Sequence, residues 1–413
     1  MLSKTPTKGM RDFLPQEESL REYALSVIRE TYYKFGFQQI ETPCVEDLSL
    51  LTSKQGGENE KLIFKIMKRG EKLENAADVQ EMCDLGLRYD LTVPLSRFYA
   101  AHREQLPPVF YALQIGNVWR AERPQKGRYR QFLQCDIDIF GEKTNLAETV
   151  LIQATTEALS RLGLKGFTVR VNDRRLLRAL GIGSGFREED LGKVFISLDK
   201  LDKIGRDGVK NDLTSQSFSE EAIETLLGKV EKINAAQNAL EACFETVEVE
   251  PQVRAEITEL FRILQELRQE YQVKFDPTLV RGMGYYTGTI FEIGMDGLGI
   301  SIAGGGRYDE MLGRYLGQSV PACGFSIGFE RILTLLTDSR EKDDGTCYLL
   351  EKNLTAQDKI GVMKAARKLH GYGQRCLVAN KIKNLARQVE SLKQDGYRKI
   401  ILVSAEGERI LAE

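Results

Sequence analysis

The chain has 413 residues, with 58 Lys and Arg against 60 Asp and Glu, a formal net charge of −2 and 42% hydrophobic residues. That length is too great for one ordinary core, so two or three domains are expected. No stretch approaches the ~20 consecutive apolar residues of a membrane span, and the N terminus lacks the apolar core of a secretory signal. We therefore expect a cytoplasmic protein without a membrane partner.

Cysteine and histidine are used sparingly. The seven cysteines occur singly and never as Cys-x-x-Cys, which argues against both a disulfide framework and a zinc site. The two histidines, His102 and His370, argue against Ser-His-Asp or Cys-His catalysis and against a histidine-rich metal centre. We expect chemistry that needs no imidazole base.

The first part of the chain predicts a helix followed by a sheet. Apolar residues at helical spacing predict a helix over 16–35, ended by Gly36, and then an edge strand from Phe37 to Pro43. The strands that follow lack regular helical crossovers, so we expect an α+β fold with a predominantly antiparallel sheet flanked by helices. The other elements predicted here are strands at 61–67, 85–90, 109–118, 132–140 and 167–171 and a helix at 145–162.

Charged, helix-forming sequence over 179–272 predicts an α-helical insertion, because strand-like and glycine-rich sequence resumes after it. Within it, the capping-box spacing of Ser217 and Glu220 predicts the start of a helix at 222–233. The remaining predictions for this part are a helix at 256–271, strands at 276–293, 299–303 and 322–327, and a helix beginning at 330–337.

A wholly polar run at 338–344 predicts a linker, and the alternating strands and helices beyond it predict a small α/β domain. Residues 345–413 carry 13 Lys and Arg against 7 Asp and Glu, a basic balance that favours a nucleic-acid partner. We thus predict a main domain formed by 1–178 and 273–337, a helical insertion at 179–272 and a C-terminal domain at 345–413. The C-terminal strands are predicted at 346–350, 375–379 and 399–403, and its helices at 356–370 and 382–392.

A basic hairpin is the most informative segment. Five cations and one acid lie between Arg120 and Arg130, around a Pro-Gln-Lys-Gly turn and between two apolar strands. Planar guanidinium groups suit phosphate, although a lone basic turn is more often a solvated loop. Other polar or glycine-rich segments accompany it and could individually be bulges or turns. They are Leu87–Thr92, Arg281–Gly288, Ala303–Asp309 and Gly324–Arg331.

Together and in this order, these segments resemble the signature motifs of class II aminoacyl-tRNA synthetases. The helix and strand ending at Pro43 are similar to motif 1, Arg120–Gly141 to motif 2, and Gly324–Arg331 to motif 3. Arg281–Tyr286 and Ala303–Asp309 resemble the two segments that distinguish histidyl-tRNA synthetases within this class. The resemblance covers residues 4–413.

The resemblance implies activation of an amino acid by ATP and Mg²⁺. The substrate carboxylate is already a nucleophile, so the reaction needs positioning and positive charge and no general base. By motif position, Arg120 would hold the α-phosphate and Arg281 would be a second catalytic arginine between it and the substrate carboxylate. Arg128 would bind the distal phosphates, Arg331 the other side of ATP, and Glu122 the adenine end. Mg²⁺ would bridge phosphates, with no protein ligand assigned.

The resemblance also implies a histidine pocket and macromolecular partners. Asp90, Thr92 and Gln134 would bind the α-amino group, since an ammonium needs acceptors. The implied partners are histidine, tRNA(His) bound partly through an anticodon-binding C-terminal domain, and a second copy of the chain paired through motif 1. The ring would be bound by Tyr286 and Asp138, with Tyr285 and Tyr308 lining the pocket.

Some positions depart from familiar bacterial members of this family. Gly284 often corresponds to Asp and Leu133 to His, whereas Asp90 and Asp138 are glutamates in many of them. The C-terminal domain is also shorter than is usual. None of these departures removes a cation, so we expect catalysis to survive.

Two alternatives stay open at this point. One is a non-catalytic paralogue resembling the regulatory subunit of ATP phosphoribosyltransferase, and the other is a synthetase-like RNA-binding module without activity. The first class typically loses the cationic motif 2 loop and the Arg-Gly before the paired tyrosines. Arg120, Arg128 and Arg281 are all present here and favour the ligase.

Overall fold

The computed structural model describes residues 4–52, 59–74, 81–124, 128–280, 285–336 and 345–413. The chain forms two compact units, Met1–Leu336 and Thr337–Glu413. The helices of the first unit are α1 (Pro15–Lys34), α2 (Leu48–Leu51), α3 (Glu71–Glu74), α4 (Thr92–His102), α5 (Leu146–Arg161), α6 (Arg174–Ile182), α7 (Leu191–Leu198), α8 (Leu201–Ser215), α9 (Glu220–Ala235), α10 (Ala239–Thr246), α11 (Pro251–Leu267), α12 (Gly313–Leu316) and α13 (Phe329–Leu333).

The strands of the first unit form two sheets. The eight-stranded sheet has the order β1-β5-β6-β11-β10-β9-β7-β8, and β2, β3 and β4 form a smaller sheet. The strands are β1 (Gln38–Gln39), β2 (Val45–Asp47), β3 (Lys65–Met67), β4 (Cys83–Leu87), β5 (Phe110–Trp119), β6 (Gln131–Phe140), β7 (Phe167–Asp173), β8 (Gln272–Phe275), β9 (Thr289–Met295), β10 (Ile300–Arg307) and β11 (Ala322–Gly328).

The large sheet is antiparallel through its centre, and only its outermost pairings, β1 with β5 and β7 with β8, are parallel. This architecture confirms the predicted fold class. The motif 1 helix is also confirmed, since α1 begins at Pro15 and buries Ala24, Ile28 and Tyr32 at helical spacing. Its strand lies at the sheet edge as predicted but has only two residues.

The two faces of β6 differ in chemistry, because successive side chains of a strand alternate. Cys135, Ile137 and Ile139 are fully buried in the main hydrophobic core, to which α1 and α5 also contribute. The intervening residues, Gln134, Asp136 and Asp138, therefore lie on the opposite face.

Three details of the predicted elements are wrong. The strand predicted at 276–293 is not continuous, because the Asp276 carboxylate accepts hydrogen bonds from both the N–H and the hydroxyl of Thr278 and turns the chain. The helix predicted to reach residue 271 ends at Leu267, and the chain continues into β8. The helix predicted from the capping box begins at Glu220 after Ser219, since Ser217 has a φ of 66° and lies in the preceding turn.

The sequence between β7 and β8 contains α6 to α11, which agrees in kind with the predicted helical stretch. The predicted domain boundaries there remain a proposal. The predicted linker at 338–344 lies outside the described residues. In the ranges that the structure describes, no helix is both long enough and apolar enough to span a membrane.

The second unit has a four-stranded sheet of order β13-β12-β14-β15. Its central strands are parallel, as the predicted alternation requires, but the final antiparallel strand was not predicted. Its first helix begins with a capping box between Thr355 and Asp358. The elements are β12 (Gly345–Leu350), α14 (Ala356–Gly371), β13 (Cys376–Asn380), α15 (Leu385–Gln394), β14 (Tyr397–Ser404) and β15 (Gly407–Ala412).

A buried ion pair fixes the end of β10 against α5. Arg307 donates from two nitrogens to the two Glu148 oxygens, at 2.7 Å each. Glu148→Ala would leave the buried guanidinium only its 3.4 Å contact with Asp309 and two carbonyls, and should lower the free energy of unfolding by about 3 kcal/mol. Urea unfolding followed through the single tryptophan, Trp119 on β5, measures this.

Glu188→Ala is the matched control, because Glu188 forms an exposed ion pair with Arg178. Such surface pairs contribute no more than about 1 kcal/mol. An equal loss of stability in the two variants would contradict the importance of the buried pair.

Candidate active site

The strand register assembles the site on the polar face of β6. Residues paired directly across strands share a face, and those opposite the three polar side chains of β6 are mostly small. Small residues next to the polar side chains of β6 leave space for a ligand above this face of the sheet. Gln134 pairs with Gly116 and Gly328, Asp136 with Gln114 and Ser326, and Asp138 with Ala112 and Gly324.

Asp138 and Tyr308, both predicted to contact histidine, lie together. The Tyr308 hydroxyl donates to the Asp138 carboxylate over 2.5 Å, and both residues are buried. A Cβ at Gly324 would lie only 2.0 Å from an Asp138 oxygen, so only glycine fits beside this carboxylate. Burial raises the pKa of Asp138 to about 7, although the Tyr308 hydrogen bond opposes this.

Three tyrosines line the same region. The Tyr285 ring lies 4.8 Å from the Tyr286 ring and 5.8 Å from the Tyr308 ring, measured between centroids. Burial raises the pKa of the Tyr285 hydroxyl well above its usual value, as do the neighbouring Tyr286 and Asp90, while a hydrogen bond with Thr92 opposes the shift. The predicted ring pocket and the predicted amino-group site are therefore contiguous.

Asp90 has one carboxylate oxygen held by the protein and one without a partner. Oδ1 accepts from the Val93 N–H at 3.1 Å, whereas Oδ2 is buried and has no hydrogen-bond partner among the described residues. Burial raises the pKa of Asp90 to about 6, against the effects of the Val93 N–H and the Arg120 charge. A buried acceptor of this kind suits a cationic ligand group.

Gln134, predicted to bind the α-amino group, lies beside two polar residues of the same face. Its amide nitrogen donates to the Ser326 hydroxyl at 3.0 Å and lies 3.5 Å from both Asp136 oxygens. Its Oε1 is buried and has no partner in the described part of the chain. Gln134 thus presents a second unsatisfied acceptor.

Arg120 lies where β5 ends and is anchored on both sides. Its Nε donates to the Tyr89 carbonyl at 3.0 Å, and its guanidinium lies 5.0 Å from the Phe132 ring centre. Arg120 is close enough to Asp90 and Asp136 for its charge to oppose part of the rise that burial causes in the pKa of each carboxyl. Arg120 is therefore the predicted cation that meets the carboxylate row.

The other predicted ATP contacts are more dispersed. Arg128 is exposed and Glu122 half-buried, and the turn between them, 125–127, lies outside the described residues. Arg331 follows β11 and donates to the Ser301 carbonyl at 2.5 Å. It belongs to the helix that begins directly after Gly328, opposite Gln134, so it lies at the Gln134 end of the polar face.

The remaining predicted positions are the catalytic arginine and the two departures from the family pattern, and the structure bears on only some of them. Arg281 and Gly284 lie outside the described residues. Leu133 is an odd-numbered residue of β6 and packs against the main core, so its side chain is on the face away from Gln134. The Leu133 departure therefore does not alter the polar face directly.

Two residues of this region were not predicted from the sequence. Asp136 is buried between the predicted Gln134 and Asp138, and burial and the Asp138 charge raise its pKa well above the usual range. The strict polar–apolar alternation of 134–139 could have revealed it. The second is the N-terminal Gly9, whose carbonyl accepts from the Arg130 N–H at 2.7 Å, for which the sequence offered no clear signal.

Comparison with known proteins agrees with this geometry. Residues 9–332 match the family model described as histidyl-tRNA synthetase. The histidine–tRNA ligase of Leifsonia xyli is 45% identical over 415 residues, which cover 97% of this chain and 96% of that protein.

Solved structures share the fold across both units. A histidyl-tRNA synthetase from a Nostoc species has a TM-score of 0.80 and 24% identity, covering 100% of this chain and 97% of that one. An ATP phosphoribosyltransferase regulatory subunit/histidyl-tRNA synthetase from Bacillus halodurans has a TM-score of 0.80 and 23% identity, covering 97% and 98%. With the family match spanning most of its length and the 45% identity of a full-length relative, the chain belongs to the histidyl-tRNA synthetase family.

Proposed function

We propose that the chain is a histidine–tRNA ligase, which activates histidine with ATP and transfers it to tRNA(His). The observation that carries the proposal is the pair of buried, unsatisfied acceptors, Asp90 Oδ2 and Gln134 Oε1, on the polar face that Arg120 adjoins. Relatives named histidine–tRNA ligase that match nearly the whole chain support it. ATP–pyrophosphate exchange with each amino acid, followed by charging of total tRNA, tests it directly.

The activation step needs charge and alignment. A histidine carboxylate oxygen forms a bond to the α-phosphorus while the bond to pyrophosphate breaks, and no proton is transferred. Arg120 and Arg281 stabilise charge at the α-phosphate, whereas Arg128, Arg331 and Glu122 bind the rest of ATP. Mg²⁺ brought in with ATP would supply further positive charge, and no residue of the chain is assigned to hold it.

Histidine recognition uses the two adjoining parts of the polar face. Asp90, Thr92 and Gln134 accept the ammonium, and a ligand ammonium supplies the partner that these buried acceptors lack. Asp138 and Tyr286 contact the ring, with Tyr285 and Tyr308 completing the walls. A pocket that hydrogen-bonds both ends of its ligand rejects analogues that leave these groups unpaired.

The wider assembly in this proposal is a cytoplasmic homodimer. Motif 1, formed by α1 and β1, supports the pairing because β1 is an edge strand of the large sheet. The main domain at 1–178 and 273–337 carries catalysis, the insertion is at 179–272, and residues 345–413 bind the anticodon part of tRNA(His).

A regulatory subunit of ATP phosphoribosyltransferase is the alternative, and it is not favoured. Its support is a shared fold with a structure at 23% identity. The ligases are far more similar in sequence, and the cations Arg120, Arg128 and Arg281 would have no role in a protein that does not handle ATP.

Arg120→Ala and Arg281→Ala should each lower the rate of histidine-dependent ATP–pyrophosphate exchange by about 10²-fold or more, because each removes a charge that stabilises the transition state. Arg69→Ala, at an exposed cation of the same unit, is the control and should retain full exchange. Near-normal exchange by a folded Arg281→Ala protein would remove this arginine from the catalytic assignment.

Asp138→Asn should stabilise the unliganded protein at alkaline pH. The folded-state pKa of about 7 exceeds the unfolded value, so the stability that this group contributes is present at low pH and is lost as pH rises through 7. Asparagine removes the penalty of the buried charge, so the melting temperature relative to the parent should rise from about pH 4 to about pH 7 and then stay level.

Thermal scans of both proteins over this range measure the effect, with Asp12→Asn at an exposed site as the control. The same variant should bind histidine more weakly. A melting-temperature difference that stays constant with pH would contradict the burial of an ionising group at Asp138.

Deletion of 345–413 should preserve histidine activation and strongly reduce aminoacylation. ATP and histidine contact the first unit, whereas the basic second unit would add phosphate contacts to tRNA, and such contacts also weaken as salt rises. Exchange and charging assays on the 1–344 fragment measure the two steps separately. Full charging by this fragment would show that the second unit does not bind tRNA.

A further inference from the structure

A buried polar network lies behind the predicted amino-group site and has no role in the chemistry above. It consists of Thr42, Arg88 and Gln114, which come from the end of motif 1, from the segment after β4 and from β5. All three are nearly inaccessible, with exposed fractions of 3%, 4% and 1%. We call these residues the Arg88 network.

The hydrogen bonds of the network run in one continuous chain. Arg88 Nη1 donates to the Thr42 carbonyl at 2.7 Å and to its hydroxyl at 3.2 Å, and Nε donates to the Asn117 carbonyl at 2.9 Å. The Thr42 hydroxyl donates to Gln114 Oε1 at 2.8 Å. The Gln114 amide nitrogen then donates to the Leu91 carbonyl at 3.0 Å.

The guanidinium of Arg88 is buried without a carboxylate partner among the described residues. It is satisfied by carbonyl and hydroxyl oxygens, which fixes the backbone positions that supply them. A Cβ at Gly116 would lie 2.3 Å from Arg88 Nη2, so the neighbouring strand leaves space for this side chain. A buried cation satisfied mainly by backbone oxygens holds separate chain segments in one geometry.

The segment that the network holds is the one that carries Asp90 and Thr92. The Arg88 N–H donates to the Cys44 carbonyl and the Arg88 carbonyl accepts from the Trp119 N–H, both at 3.0 Å. Arg120 holds the Tyr89 carbonyl, and Gln114 holds the Leu91 carbonyl. Asp90 is therefore bracketed on both sides by fixed carbonyls, while its own Oδ2 stays without a partner.

We propose that Thr42, Arg88 and Gln114 are positioning residues that set the geometry of the ammonium site at Asp90 and Thr92. The proposal rests on the proposed histidine–tRNA ligase function. The hydrogen-bonding groups of the three side chains are used on one another and on backbone carbonyls. They act through the backbone of residues 88–91 and make the amino-group site depend on the end of motif 1.

Two variants each remove the hydrogen-bonding group of one side chain and keep its volume nearly unchanged. Thr42→Val removes the hydroxyl that joins Arg88 to Gln114, and Gln114→Met removes both the acceptor of that hydroxyl and the donor to the Leu91 carbonyl. Each should raise the KM for histidine in ATP–pyrophosphate exchange roughly 10-fold, the equivalent of about one displaced hydrogen bond. The KM for ATP should change less than the KM for histidine, because Arg120 is the one proposed ATP contact among the described residues that bonds to this segment, through the Tyr89 carbonyl.

Imidazolepropionate, which lacks the α-amino group, separates positioning from a general loss of structure. As a competitive inhibitor it should bind the parent and both variants equally. In a double-mutant cycle, adding Gln114→Met to the Asp90→Asn protein should raise the KM for histidine little further, because Gln114 acts on histidine binding through Asp90. Thr156→Val is the matched control, because this buried hydroxyl donates within α5, and it should retain the parental KM for histidine.

Several outcomes would overturn the proposal. The first is an unchanged KM for histidine in both folded variants. The second is a loss of imidazolepropionate affinity equal to the loss for histidine. The third is an effect on the KM for histidine that adds fully to that of Asp90→Asn. If one variant fails to fold, as judged by its melting temperature, the other still decides the matter. If both fail, Gly116→Ala, whose Cβ would crowd Arg88, replaces them. Its KM for histidine should rise while its affinity for imidazolepropionate stays at the parental value. Absence of histidine activation in the parent would instead overturn the proposed function.

Discussion

The polar face of β6 depends on one constraint: carboxylates on it and beside it are buried, and none of them forms an ion pair with a cation in the described part of the chain. Asp90, Asp136 and Asp138 all lose solvation, and their pKa values rise as a result. Such a cluster costs folding free energy in the unliganded protein, which is a common property of binding sites. In the proposed function, the ammonium and ring of histidine would offset this cost, so the feature that weakens the fold would favour the ligand.

The sheet makes this arrangement possible because its two faces are chemically independent. One face of β6 contributes Ile137 and Ile139 to the main core, and this packing fixes the strand regardless of what the other face carries. Glycines on β10 and β11 then keep backbone and side chains from filling the space over the acids. Gly306 is paired with Gly324 in line with Asp138, and a Cβ at Gly306 would lie 2.9 Å from the Tyr286 ring.

Arg120 and the surrounding loop show how the basic hairpin is kept in place. The Arg120 N–H donates to the Arg130 carbonyl, and the Arg130 N–H donates to Gly9, so the N-terminal segment and the hairpin form one unit. A Cβ at Gly9 would lie 2.7 Å from the Pro124 side chain and would have to be accommodated at a φ of 87°. The cations are thus presented from a loop whose flanks are held by backbone hydrogen bonds.

The sequence by itself determined most of the helix and strand order, the alternating chemistry of β6 and the set of cations around Arg120. Those features follow from short-range periodicity and composition, and the motif order was sufficient to indicate the family. Only the tertiary structure decided that Thr42, Arg88 and Gln114 meet behind Asp90. This meeting depends on strand register and on contacts between residues as many as 72 positions apart. The pattern of one segment contains no information about which distant segment will satisfy its buried polar groups, because that partner is selected only when the sheet assembles.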